Sequence, residues 1–98
     1  MVEIISGKPY EDDGELRTFY SSVDSDDLVW HRDLEDRKVT VLEGEGWQFQ
    51  FNGSLPIELM KDRIFEIPRD MYHRIIKGKT KLVLRIEKIW TQKIKTIF

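Results

Sequence analysis

His31 and His73 are the two histidines of the chain, and each falls in a short run with strand character. If Val29-Trp30-His31-Arg32-Asp33 is extended, its side chains alternate between faces. Val29, His31 and Asp33 then share one face, and Leu28, Trp30 and Arg32 the other. His73 lies five residues after Pro68, in a second strand-like run, Tyr72-His73-Arg74-Ile75-Ile76. Two imidazoles and one carboxylate suit a first-row transition metal, and three protein ligands leave positions open for a substrate. Other chemistries find less support. The chain has no cysteine, which removes thiolate ligands, a disulfide framework and a cysteine nucleophile. No serine sits in an elbow motif or beside a histidine base, and there is no glycine-rich phosphate loop.

The elements that must position these residues are short strands. Residues 1–5 form a candidate strand closed by Ser6-Gly7-Lys8-Pro9, and Glu11-Asp12-Asp13-Gly14 reads as a charged turn. Residues 16–22, LRTFYSS, have strand composition, with Leu16, Thr18 and Tyr20 opposite Arg17 and Phe19. Asp24-Ser25-Asp26-Asp27 breaks that run, and Leu34-Glu35-Asp36 turns the chain into residues 37–43, where Arg37, Val39, Val41 and Glu43 share a face. Gly44 and Gly46 supply a turn, and Trp47-Gln48-Phe49-Gln50-Phe51 alternates aromatics with glutamines, which marks Trp47, Phe49 and Phe51 as core. Asn52-Gly53 signals a type I′ hairpin turn, and Pro56 demotes residues 54–60 to an edge strand or a bulge. Strands over 63–67, 72–76 and 81–86 complete about eight, with short connections and no amphipathic helix between Leu16 and Ile86. Such spacing predicts a sandwich or barrel. Residues 87–98 fit either a helix or a strand, and their apolar side chains need cover.

The length allows one domain with a single modest core. A charged fraction of 35% marks a soluble protein, and a net charge of −2 argues against a dedicated nucleic-acid binder. The sum hides an asymmetry. Residues 1–36 hold 11 of the 18 acids and three bases, so the two parts carry about −8 and +6, which predicts pairing between them or between subunits. No apolar run approaches the ~18 residues of a membrane span, and no secretory signal is visible at the N-terminus, so the expected location is cytoplasmic and no membrane partner is expected.

Two stretches resemble the motifs of the cupin superfamily. The first cupin motif has two histidines one residue apart, a glutamate three or four residues later and a glycine after six more. Here those places hold His31, Asp33, Arg37 and Gly44. The second has a glycine, a proline after five residues, a glycine two positions on, a histidine three further and an asparagine four beyond. Here they hold Asp62, Pro68, Asp70, His73 and Lys77. Spacing agrees throughout, while identity agrees at His31, Gly44, Pro68 and His73. The resemblance covers roughly residues 16–87 and implies an all-β fold, a double-stranded β-helix or cupin-like jelly-roll barrel. It implies a single domain over 1–98, with residues 88–98 as a tail, and a homodimer paired through its apolar termini.

For chemistry the departures weigh more than the matches. Cupin metal sites usually hold three histidines and a glutamate, whereas this chain keeps His31 and His73, offers Asp33, and places Arg37 at the glutamate position. Arginine stays protonated and cannot ligate a metal. The remaining His31, Asp33 and His73 form a 2-His-1-carboxylate set for iron, manganese, nickel or zinc. The same order resembles the 2-oxoglutarate oxygenases, but Arg85, the residue available for the co-substrate, faces away from the core on strand parity. The metal-free alternative pairs Asp33 with Arg37 inside the barrel. The expectation is therefore a cupin-like protein that binds a small polar or anionic ligand in the barrel mouth without catalysis. Arg37, Trp30 and Tyr72 are its ligand contacts, although strand parity also lets Trp30 and Tyr72 cover the outside. A metal-dependent dioxygenase or isomerase using His31, Asp33 and His73 is the alternative.

Overall fold

The computed structural model describes residues 8–89. The strand expected over residues 1–5 and the tail from residue 90, with the apolar termini expected to pair subunits, lie outside them. Eight strands follow in chain order: β1 (Glu11–Asp13), β2 (Leu16–Phe19), β3 (Asp36–Glu43), β4 (Gln48–Phe51), β5 (Ile57–Glu58), β6 (Ile64–Ile67), β7 (His73–Ile76) and β8 (Leu82–Ile89). All pairings are antiparallel. One sheet has the order β1-β2-β8-β3-β6 and the other β5-β4-β7. After β3 the chain passes repeatedly from sheet to sheet, so the two share one core. Val39, Val41, Leu82 and Leu84 come from the larger sheet, and Phe49 from the smaller, joined by Trp47 and Leu59. Phe49 meets Phe65 across the gap with ring centroids 4.9 Å apart. Burying each such side chain contributes ~1.5–3 kcal/mol.

Strand parity is kept where it was legible. Val39 and Val41 are buried on β3, Trp47 and Phe49 on the aromatic run, and Phe51 is half-buried against them. Pro56 precedes a two-residue edge strand, β5. Two turn expectations change. Glu11–Asp13 is a strand rather than a turn, because Asp12 pairs directly with Arg17 across the β1–β2 hairpin and the guanidinium holds its carboxylate at 2.8 and 3.0 Å. At Asn52-Gly53 only Gly53 has positive φ (83°), and Ser54 N–H donates to the Phe51 carbonyl at 3.0 Å. That is a type II turn, not the type I′ hairpin, and β5 pairs with β4 from Ile57 onward, through Ile57 and Glu58.

The stretch 29–33 pairs only at His31, which forms an isolated bridge with His73. The charge asymmetry is met partly within the chain, where Arg37 reaches Asp33 and Glu35, and Arg85 approaches Glu15. No described helix is long and apolar enough to cross a membrane.

Candidate metal centre

Two backbone devices bring the residues together. The turn after β6 carries Pro68 and Asp70, and Asp70 adopts φ 64°, which reverses the chain into β7. Asp70 N–H donates to the Asp33 carbonyl at 2.8 Å, and Arg69 N–H to Asp36 Oδ1 at 2.8 Å, which locks this turn onto the segment ahead of β3. His31 and His73 then exchange both backbone hydrogen bonds, at 3.0 and 2.9 Å. Their rings lie 4.3 Å apart, and Phe49 stacks on His73 at 5.3 Å.

His31, Asp33 and His73 thus converge, each offering a ligand atom within 4.8 Å of the others. Each histidine places Nδ1 near the carbonyl two residues earlier, His73 at 2.8 Å from Met71 O and His31 at 3.1 Å from Val29 O. A neutral imidazole donating there presents an Nε2 lone pair on its other side. Both Nε2 atoms face Asp33, His73 at 3.4 Å from Oδ2 and His31 at 4.0 Å from Oδ1. Burial pushes the His73 pKa below its ordinary value, and the His31 and Arg37 charges act in the same sense. The Met71 carbonyl and the Asp33 carboxylate oppose them without reversing the direction. His73 is accordingly neutral near pH 7, and its lone pair meets carboxylate oxygens rather than a donor. Asp33 Oδ2 is buried with no hydrogen-bond partner among the described residues. The His73 lone pair and the Asp33 carboxylate thus face each other as acceptors, a gap that a cation, a proton or a donor such as water would fill.

Arg37 lies alongside rather than in this group. Its Nε donates to Glu35 Oε2 at 2.7 Å, while Nη2 is 3.5 Å from Asp33 Oδ1. The Arg37–Asp33 pairing expected from the sequence is therefore the looser of its two contacts. Glu35, buried on the same parity as Arg37, offsets the guanidinium charge. Access differs among the three ligand side chains: His31 is 47% exposed, against 7% for Asp33 and 4% for His73. A cavity of about 250 Å³ opens beside the histidines, with both of them and Arg37 in its wall. Trp30 and Tyr72 are not part of that wall. Each is half-exposed, with the Arg74 guanidinium 4.7 Å from the Trp30 ring and that of Arg32 5.3 Å from Tyr72. Arg85 is exposed, as its parity predicts. Arg17 lines the cavity although no role was visible for it in the sequence; sharing a face with Phe19 was the available signal.

Comparison of the sequence with protein-family models and with curated proteins finds no match. Among solved structures, the chain is similar to protein NMB1881 from Neisseria meningitidis, with a TM-score of 0.54 and 13% identity over 82% of this chain and 79% of that one. A likeness at that identity speaks for the fold alone.

Proposed function

We propose that the chain is a cupin-like, metal-binding protein that holds a small anionic ligand in the cavity beside His31, Asp33 and His73. The observation that carries this reading is the buried, unpartnered Asp33 Oδ2 faced by an imidazole lone pair. Leaving such a group unpaired costs ~1–3 kcal/mol, a cost that binding a cation removes. The anchoring of both Nδ1 atoms to backbone carbonyls supports it, since metal-ligating histidines are commonly fixed in this way. A metal held there would supply a Lewis acid to a ligand in the cavity. Arg37 would face that ligand, held in orientation by Glu35.

The double-stranded β-helix draws support from two aspartates. Asp62 and Asp70 occupy the places where the second cupin motif has glycine, and both take positive φ, 73° and 64°. That conformation is uncommon for residues other than glycine, with aspartate among the tolerated exceptions. Both places thus take a conformation that glycine favours.

A metal-free binding protein is the second reading, favoured by the Arg37 guanidinium 3.5 Å from Asp33. Metal analysis separates them. Chelated protein reconstituted with iron(II), manganese, nickel or zinc is expected to bind about one equivalent of at least one metal and to melt higher, while Asp33→Ala and His73→Gln take up none. Wild-type protein that stays empty with all four metals would leave the metal-free reading standing.

A further inference from the structure

The cavity wall has a chemistry that names a class of ligand. Most of it is apolar, with Phe19, Phe49, Phe65, Ile75, Leu84 and Ile86 among its members. Its charged side chains are Lys8, Arg17 and Arg37 against one acid, Asp27. The acids that pair with the two arginines, Asp12, Asp33 and Glu35, stand outside the lining. The wall thus shows the two arginines to the cavity and keeps their counter-charges behind.

Arg17 is the best fixed of the three. Its Nε and Nη2 donate to Asp12 at 2.8 and 3.0 Å, and its guanidinium carbon lies 3.7 Å from the centre of the Tyr10 ring. A guanidinium has five N–H donors, so the edge turned from Asp12 can take a second acceptor. The side chain is 16% exposed, and a charge-assisted bond formed there is only partly screened by water. Asp12 registers how close the cations lie to one another. Its pKa is held down first by the Arg17 hydrogen bond, against the opposing effect of burial, with further lowering from the charges of Arg17, Lys8 and Arg37.

Size narrows the class further. A cavity of ~150 Å³ accepts benzene, so about 250 Å³ leaves room for one ring and a small head group. We infer that the cavity takes a monocarboxylate with an apolar body of about one ring, its carboxylate on Arg17 and its body against the phenylalanines and isoleucines. This rests on the reading of the cavity as the ligand site, and it holds with or without the metal.

Benzoate and benzyl alcohol, which match in size and differ in charge, are the probes, titrated into chelated wild-type protein with binding followed by NMR. Benzoate is expected to bind at least roughly tenfold more tightly. Arg17→Gln should erase that preference while leaving benzyl alcohol unchanged, and the exposed variant Lys8→Gln should narrow it. Equal affinity for the two probes, or no binding of benzoate at millimolar concentration, would overturn the inference. Metal uptake measured on the same samples keeps the two readings apart. Metal without benzoate preference sinks this inference alone, and benzoate preference without metal sinks the metal centre alone.

Discussion

β3 and β7 each have two ends, and the molecule treats them oppositely. Where β3 ends and β7 leaves its sheet, the loops close on each other with their polar groups bonded. Trp47 is fully buried and donates Nε1–H to the Thr80 carbonyl at 2.7 Å, Glu45 N–H donates to Thr80 Oγ1 at 3.0 Å, and Lys79 N–H to the Glu45 carbonyl at 2.9 Å. At the other end, just ahead of β3 and at the first residue of β7, Asp33 Oδ2 is buried and unbonded beside an open cavity. The first end is built for stability. The second leaves a buried carboxylate oxygen unsatisfied, a group that an added cation, a proton or a donor such as water would satisfy.

Breaking the closed end should have the largest effect. A Cβ on Gly78 would run into the Trp47 backbone nitrogen and ring and come within 2.6 Å of the Glu45 carbonyl. Gly78→Ala is expected to cost about 3 kcal/mol or more in urea unfolding, because the obstructing atoms are largely backbone. A cost below ~1 kcal/mol would show that this end yields easily, and the contrast between the ends would lose its force. Trp47→Phe is the milder version. It strands the Thr80 carbonyl and leaves a small void, for an expected loss of about 2 kcal/mol by the same measurement.

The closed end and the strands feeding it were legible in the sequence because both rest on local rules. Parity placed Val39, Val41, Trp47 and Phe49 in the core, and paired glycines marked the turn at 44–46, where Gly44 and Gly46 both take positive φ. The candidate site was legible only as a spacing. His31, Asp33 and His73 were named from it, but their convergence depends on Asp70 turning the chain and on its bond to Asp33. Neither follows from strand rules. Glu35 as the tighter partner of Arg37, and Arg17 as part of the cavity, were hidden for a related reason. A single sequence states which side chains share a face and leaves open which strand lies opposite. Glu11–Asp13 illustrates the point, since three acidic residues read as a turn until Arg17 is known to pair with Asp12.

At the open end the sign of a polar substitution should reverse. Paired with Arg37 alone, Asp33→Asn would destabilise the protein. With the acceptors arranged as they are, an amide nitrogen at Oδ2 can donate to His73 Nε2 while the amide oxygen still faces Arg37, which keeps Glu35 as its closer partner. The metal-free variant should therefore melt at or above the wild type, by up to about 1 kcal/mol, and lose metal binding. Thermal unfolding in chelator together with metal titration reads both halves. A clear loss of stability in chelator would identify Asp33 as a structural partner of Arg37 and would make the two ends alike.

The smallest effect, and the one that isolates His73, is the pH dependence of the metal-free protein. Burial lowers the folded pKa of His73 below its ordinary value of 6.5, so on acidification the unfolded chain takes up the proton first. The stability linked to a neutral His73 is thus fully present above about pH 6.5 and is lost as the pH falls through the lower folded value. Melting of chelated wild-type protein should begin to decline as the pH falls below about 6.5, before most carboxylates titrate, and His73→Gln should flatten that decline. Saturating zinc should steepen it, because each proton taken up by a ligand histidine competes with the metal. Equal slopes with and without zinc would mean that the metal and the proton do not share a site, and the lone pair facing Asp33 would then need another partner.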